Sequence, residues 1–389
     1  MDFHFTPEQE AFREQIRQFL REEVTPEIRR AIEENPEDGS MHKEFSRKVG
    51  ARGWIGLAWP KGFGGEGIGH IERLIYNEEM IYWRAPVGYH LTAERQMAPS
   101  LIISGTPEQQ ADYIPRIARG ELGFCIGYSE PGAGSDLAGL QTRAVADGDD
   151  YVINGQKIFT SGAHWADYVW LATRTDPDAP KHKGISVFVV DLKSPGLTVK
   201  PLWNMGGGRF NEVYFDDVRV PKRNMVGEEN QGWYVVAANL DFERSGIERV
   251  ISGQLTFDEL LDRLRMGGQE GLPKDASPAL RHRLADMAVE FQVGRLLAYR
   301  VAWLQSQGQV PNYEASTSKV FGTELTQRVG RACIEVLGLY GPVQRGTRSG
   351  ALDGRIASMY LANVSATIAG GTSEIQRNII ATRGLGLPR

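Results

Sequence analysis

Cysteine is scarce in this chain of 389 residues: only Cys125 and Cys333 are present, far apart. That excludes a disulfide framework and gives no thiolate metal site. Histidine is also sparse, at seven, and none pair as His-Glu-x-x-His on one helix face, which argues against a metal centre. Apolar runs are short. None approaches the ~20 residues that a membrane helix needs, and the acidic, amphipathic N-terminus lacks the apolar centre of a signal peptide. A cytoplasmic protein outside the membrane is the simplest expectation. A basic excess is missing as well, since the net charge is −5. Electrostatics therefore supplies no reason to expect nucleic acid or an anionic membrane as partner.

What is present is a chain of 41% hydrophobic residues, enough to bury a large core in two or three domains. Its first third reads as helix. Thr6-Pro7-Glu8-Gln9 is a helix start with proline in the first turn and a Gln three residues after the cap. Through residues 6–34, Phe12, Ile16, Phe19, Leu20 and Val24 recur at helical spacing. A second helix covers Lys43 to Arg52 and ends in the breaker-rich Trp59-Pro60-Lys61-Gly62-Phe63-Gly64-Gly65. Helical patterns resume from Ile68 to Ser104, interrupted by Pro86 and Pro99, and Thr106-Pro107-Glu108-Gln109 repeats the first start signal.

Near Leu122 the pattern changes. Short β-rich runs follow at Tyr151–Ile153, Tyr168–Ala172, Ile185–Val190, Leu197–Val199 and Val213–Phe215, with Gly148 and Asn154-Gly155 as expected turns. Such spacing predicts a small barrel or sandwich. After Gly232 the helical period returns to about Arg383, with Gly267-Gly268, Gly308 and the stretch from Gly341 to Gly354 separating four helices. The expected domains are 1–121, all helical; 122–231, a β-barrel; and 232–389, a four-helix bundle.

Four stretches carry chemistry. Tyr128-Ser-Glu-Pro-Gly-Ala-Gly-Ser-Asp136 can turn sharply, bringing backbone N–H groups, Ser129 and Ser135 to a polar or anionic ligand. It is neither a P-loop, having no Gly-Lys-Ser/Thr, nor a dinucleotide fingerprint. An ordinary surface turn is the competing reading. Asn154 to Gly162 sets Phe159, Thr160 and Ser161 at a strand exit, where an aromatic face and hydroxyls can hold a flat ring; a plain half-buried Phe is the alternative. Gly370-Gly371-Thr372-Ser373-Glu374-Ile375-Gln376 joins two glycines to a capped helix start, able to host an anion or polarise a carbonyl. Finally, Glu243 falls on the apolar stripe of Val236, Leu240, Ile247 and Val250 or Ile251. There its carboxyl should titrate above the ~4.3 of a free Glu, as a general base near neutral pH requires. Pairing with Arg244, Arg249 or Arg295 is the structural alternative.

Taken together, Trp59-Pro60 with its glycines, Ser129 to Asp136, Asn154-Gly155-Gln156-Lys157 and Gly371 to Arg377 resemble the acyl-CoA dehydrogenases, in the same order and along essentially the whole chain. The resemblance implies an α+β multidomain fold: an N-terminal helical domain, a middle β-barrel and a C-terminal four-helix bundle. It implies FAD as cofactor, an acyl-CoA thioester as substrate, and electron-transfer flavoprotein as electron acceptor. By position, Ile126, Tyr128, Ser129, Phe159, Thr160 and Ser161 would line the flavin, with Thr372 and Glu374 meeting it from the bundle. Ser135, Asp241, Arg244, Gly370 and Gly371 would meet the substrate.

Two departures from the family's usual pattern stand out. Many members place a Glu directly before Gly-Thr-Ser, where this chain has Gly370. A subset carries the base in a Leu-Asp-x-Glu-Arg context instead, and Leu240-Asp-Phe-Glu-Arg244 fits it, which makes Glu243 the implied base. Members of that subset include enzymes acting on branched or bulky acyl chains, and a branched, long or bulky (steroid-like) substrate is expected here. The usual Arg-x-Gln/Thr-Phe-Gly stretch is absent from Leu261 to Pro278, and the usual Gln of a later loop is replaced in Glu335-Val-Leu-Gly338-Leu339. Contacts to a neighbouring subunit's FAD are thereby in question. Either a homotetramer using substitutes such as Arg263 or Arg265, or a heterotetramer with a related chain, is expected, as in actinobacterial-type chains of steroid side-chain breakdown. An oxidase or flavin monooxygenase-like enzyme of the same scaffold, and a non-catalytic partner subunit, are the competing readings.

Overall fold

The computed structural model describes residues 4–35, 37–65, 67–244, 246–266, 277–347 and 351–388, without the side chains of residues 241–244, 266 and 351. The N-terminal third holds α1 (Pro7–Glu23), α2 (Pro26–Glu34), α3 (Ser40–Ala51), α4 (His70–Tyr82), α5 (Gly88–Thr92), α6 (Ala98–Ser104) and α7 (Pro107–Ala118). Thr6 and Thr106 both cap as expected, each with a reciprocal Gln bond. The stretch from 6 to 34 is two helices rather than one. Thr25-Pro26 restarts it, because Pro26 cannot donate within a helix interior but suits a first turn, and Thr25 caps Ile28 N–H. Between α5 and α6 the chain makes a π-type turn, Ala93–Met97.

The middle domain is one eight-stranded sheet: β1 (Phe124–Gly127), β2 (Arg143–Asp147), β3 (Asp150–Lys157), β4 (Tyr168–Arg174), β5 (Ile185–Asp191), β6 (Leu197–Trp203), β7 (Arg209–Pro221) and β8 (Met225–Val226). Its order is β6-β7-β3-β2-β4-β5-β8, with β1 pairing parallel to β4. Trp170, Ala172, Val187 and Val189 face the core shared with the N-terminal helices. Val169, Leu171, Phe188 and Val190 alternate to the opposite face and a second core. Covering on both faces explains why β4 and β5 read as unbroken apolar runs.

The expected turn at Asn154-Gly155 instead lies inside β3 opposite a bulge in β7, where the register shifts from Ile153–Val218 to Gly155–Phe215. Asn154 exchanges hydrogen bonds with Asp217, 2.9 Å each way, and a Cβ on Gly155 would lie 2.6 Å from Thr142 Oγ1. Close backbone approach, not chain reversal, is what demands glycine there. The hairpin turn lies at Gly148, with φ +64°.

The C-terminal domain contains α8 (Gly232–Arg244), α9 (Glu248–Ile251), α10 (Gln254–Met266), α11 (Pro278–Ser306), α12 (Tyr313–Leu337), α13 (Arg355–Ala362) and α14 (Ser373–Ile379). Its first and last expected helices are interrupted. Gly253 separates α9 from α10, and Gly370 and Gly371, at φ +66° and +86°, reverse the chain before α14. The predicted stripe is nevertheless interior, since Val236, Ile247, Val250 and Ile251 are buried. The helical domains are tied together at Glu78 on α4, which accepts from Arg13 at 3.0 Å and from the Tyr299 hydroxyl at 2.8 Å and is ion-paired with Arg295 at 2.8 Å. Among the described residues, no helix is long and apolar enough to cross a membrane.

Candidate active site

The loop at 128–136 is built around a two-way backbone clasp, Glu130 N–H to Ala133 carbonyl at 2.9 Å and Ala133 N–H to Glu130 carbonyl at 3.1 Å. Pro131 and Gly132 take the turn between them. A Cβ at Gly132 or Gly134 would meet nothing within 4 Å, so the outer side of the loop is open. Ser135 and Asp136 are exposed there, Asp136 pairing with Lys181 at 2.7 Å.

On its inner side the loop is pinned by buried charge. Lys157 Nζ donates to the Tyr128 carbonyl at 3.1 Å and to Glu130 Oε1 at 2.8 Å. Glu130 also accepts the backbone N–H groups of Gln141 and Thr142, at 2.6 and 2.8 Å. Burial alone would raise the Glu130 carboxyl. The Lys157 charge and these hydrogen bonds outweigh it and hold the group below the usual carboxylate range. Sequence reasoning assigns no role to Glu130 and reads Lys157 only within its motif; the signal is a lysine in register with the buried Tyr151 and Ile153 of β3.

The same strand exit carries the ring-shielding residues. Ile158 N–H donates to the Ser129 carbonyl at 2.9 Å, joining Ser129 to Phe159, Thr160 and Ser161 in one patch. Asn211 locks the far side: Thr160 N–H donates to its backbone carbonyl at 3.0 Å, and its amide donates to the Thr160 carbonyl at 2.8 Å. Phe159 has φ +58°, uncommon for an aromatic, and its ring is 58% exposed. Thr160 is buried, yet its hydroxyl has no hydrogen-bond partner among the described residues. A sealed hydroxyl without a partner beside an exposed ring fits a flat heteroaromatic ligand carrying hydrogen-bonding atoms. Ile126 lies on β1, half-buried. Tyr128 is buried, its hydroxyl accepting from Trp170 Nε1 at 3.1 Å.

The bundle-side residues meet in a second place. Thr372 and Glu374 line a cavity of about 450 Å³ between α12 and the start of α14, together with Arg328, Arg331 and Arg377. Thr372 caps α14, its hydroxyl accepting from Ile375 N–H at 3.2 Å. Glu374 lies in the first turn, where its own backbone N–H and the Thr372 hydroxyl lower its carboxyl. The turn before it is held from within the protein: the Gln376 amide donates to the Gly370 carbonyl at 2.9 Å, and Lys319 Nζ donates to the Gly371 carbonyl at 2.7 Å. Lys319 is fully buried on α12 and was not singled out in the sequence. Arg265 pairs with Asp262 on the exposed face of α10 and is not part of this cavity.

Residues 241–244 are helical, at the end of α8, while the side chains of Asp241, Glu243 and Arg244 lie outside the described residues. Of the arginines weighed as partners for Glu243, Arg295 is committed to Glu78. Just beyond the helix, Glu248 is paired with Arg95 of the π-type turn, so the chain after α8 is fastened to the N-terminal domain.

Three family models match the chain in order: "Acyl-CoA dehydrogenase, N-terminal domain" over residues 6–121, the "middle domain" over 125–218 and the "C-terminal domain" over 230–385. The sequence is 40% identical to "Acyl-CoA dehydrogenase FadE26" of Mycobacterium tuberculosis, covering 100% of this chain and 99% of that protein. It is 38% identical to FadE29 of the same organism, with the same coverage. Among solved structures, "Tcur3481-Tcur3483 steroid ACAD" superposes with a TM-score of 0.91 at 34% identity, covering 100% of both chains. The "ChsE4-ChsE5 complex from Mycobacterium tuberculosis" gives 0.89 at 39%, again over 100% of both.

Proposed function

The chain belongs to the acyl-CoA dehydrogenase family over its whole length, and from that premise we propose that it catalyses FAD-dependent α,β-dehydrogenation of an acyl-CoA thioester to the trans-2-enoyl thioester. The observation that carries this reading is the patch at 129 and 158–161. It combines an exposed ring at Phe159, an unpartnered buried hydroxyl at Thr160 and a loop pinned by Lys157 and Glu130. Ile126, Tyr128, Ser129, Phe159, Thr160 and Ser161 would hold the flavin on this side, with Thr372 and Glu374 on the bundle side. Bound FAD supplies the acceptor for the β-hydride, and electron-transfer flavoprotein then takes the electrons.

Glu243 is the residue we assign to the α-proton. It stands on α8, a helix on which Val236 and Asn239 are buried, and a carboxylate removed from water is a stronger base than one in water. Asp241 and Arg244 on the same turn, with Ser135, Gly370 and Gly371, would orient the acyl-CoA. Gly370 has no side chain where many relatives carry their base, which leaves room for a branched or ring-bearing acyl group. The steroid enzyme among the structural neighbours supports that choice.

Both named structural neighbours are two-component assemblies. The absent Arg-x-Gln/Thr-Phe-Gly stretch favours a heterotetramer in which a related chain supplies cofactor contacts. Val289, Val293, Leu296 and Trp303 leave an exposed apolar stripe along α11, consistent with burial against another subunit.

The deciding experiment is the visible spectrum of the purified chain, followed by anaerobic titration with straight, branched and steroid acyl-CoA thioesters. Bleaching by one class, abolished in Glu243→Gln with flavin retained, is the expected result. A yellow protein bleached equally well in Glu243→Gln would remove Glu243 as base. A colourless chain that turns yellow only with a related partner would assign the missing contacts to that partner.

A further inference from the structure

The π-type turn at Ala93–Met97 grips the segment that carries Glu243 on both sides of that residue. In this turn the backbone bond spans five residues, Ala98 N–H donating to the Ala93 carbonyl. Carbonyls of so widened a turn are open to side-chain donors. Trp59 Nε1 donates to the Glu94 carbonyl at 3.2 Å, and Asn239 Nδ2 donates to the Gln96 carbonyl, also at 3.2 Å. Asn239 is fully buried on α8, four residues before Glu243, so the two positions share one helix face. Its amide donates to Ser100 Oγ of α6 as well, at 3.1 Å.

The second grip comes after Glu243. Glu248, at the start of α9, pairs with Arg95, the neighbour of Gln96 in the turn. Its carboxylate folds back over Gly246, where a Cβ would collide with it, and so lies above the backbone three residues past Glu243. Burial raises the Glu248 carboxyl, but Arg95, Arg249, its own backbone N–H and Arg73 outweigh burial and hold it below the usual carboxylate range, so the pair is charged at neutral pH. The turn itself is fixed from the N-terminal side. Glu94, a buried residue, accepts from Arg73 Nε at 2.9 Å and from Nη2 at 3.3 Å.

We propose that this turn positions the base: Asn239 and Arg95 are positioning residues that set where the Glu243 carboxyl meets the α-carbon of the thioester. This role rests on the assignment of α-proton abstraction to Glu243. A base acts only within about 2.6–3.2 Å of its proton, and a displacement of about 1 Å costs on the order of a hundredfold in rate. Glu243 is the last residue but one of α8, and a helix end is the part that frays. Two adjacent residues of a braced turn, reaching to either side of that end, supply the precision that the helix alone lacks.

The test uses the flavin-loaded protein, with any partner it purifies with. Arg95→Met/Glu248→Leu replaces the ion pair by two apolar side chains without stranding a charge, and Asn239→Leu removes the other anchor. Circular dichroism and thermal unfolding show that each variant folds. The rate constant for anaerobic flavin reduction at saturating thioester should fall at least tenfold in both, with the Kd of that thioester within twofold of the parent. Exchange of the α-proton with deuterated water, followed on a thioester that has no β-hydrogen, should fall by the same factor, because it needs the base and not the hydride. Arg95→Lys and Asn239→Thr, milder changes at the same anchors, should give smaller losses of the same kind and carry the test if a stronger variant does not fold. Glu243→Gln, measured alongside, separates the two ways of failing. Exchange lost in Glu243→Gln but at the parent rate in the anchor variants would overturn positioning by the turn and leave the base assigned. Exchange retained in Glu243→Gln would overturn the base and its positioning together. A rate loss matched by an equal loss of thioester binding would also overturn the proposal, since the anchors would then shape the pocket and not the base.

Discussion

Lys157 and Glu130 form an ion pair at 2.8 Å with side-chain exposures of 0% and 7%. The pair joins β3 to the loop that follows β1, and the same ammonium holds the Tyr128 carbonyl. Two charges so thoroughly removed from water contribute little net stability compared with two hydrophobes, but removing one partner strands the other. Lys157→Met should therefore cost about 3–5 kcal/mol in urea unfolding. A loss below about 1 kcal/mol, the range of surface pairs, would show that water reaches Glu130 when the lysine is gone.

Acid should weaken the N-terminal domain through His90. Its ring is fully buried, bonded to Ser46 Oγ at 2.7 Å and to the Tyr76 hydroxyl at 2.8 Å. Burial, with a smaller contribution from His42, pushes its pKa down to about 3. In the unfolded chain the ring titrates near ~6.5. Between those values only the unfolded state takes up the proton, so stability is full above the unfolded pKa and falls as pH drops toward the folded one. The slope from this one group is ~1.4 kcal/mol per pH unit. Denaturation between about pH 6.5 and 4 should lose that component of slope in His90→Gln. An identical slope in both proteins would mean that the ring is protonated in the folded state.

Legibility in the sequence followed the range of the interactions. The paired Thr-Pro-Glu-Gln caps, the helical stripe through Phe19 and Leu20, and the runs that became β4 and β5 are local patterns, and they folded as their spacing indicates. Thr25-Pro26 carries the same kind of signal, masked by the apolar period that runs through it. Asn154-Gly155 has the composition of a turn, and only its partners Asp217 and Thr142, distant in sequence, hold it within a strand opposite the β7 bulge. For the site, Phe159 and Thr160 were readable from their residue types. Lys319, which reaches 52 residues along the chain to the Gly371 carbonyl, was not, because nothing adjacent to it indicates its partner.

Thr160 offers a test in which stability and binding move apart. Its buried hydroxyl has no partner among the described residues, and an unsatisfied group of this kind costs about 1–3 kcal/mol. Thr160→Val keeps the shape and removes the hydroxyl, so the flavin-free chain should be more stable by about 1 kcal/mol. Flavin affinity should fall by roughly tenfold, one hydrogen bond's worth. Thermal unfolding of the flavin-free form and fluorescence titration with FAD measure the two effects. A simultaneous loss of stability in the flavin-free form would show that the hydroxyl has a protein-side role.

Gly370 is where backbone and substrate requirements coincide. Its φ of +66° lies in the left-handed region, where any side chain is strained, and its carbonyl is bound to Gln376. Gly370→Ala should therefore cost about 1 kcal/mol of stability whatever the protein binds. If the absence of a side chain also gives room to the acyl group, the kinetic effect will depend on that group. The KM for branched or steroid thioesters should rise severalfold while straight chains are little changed. A backbone effect alone would alter every thioester alike, because the strain is the same whichever one is bound. Steady-state kinetics across the panel separates these outcomes, and equal changes for all would show that Gly370 serves the turn and not the pocket.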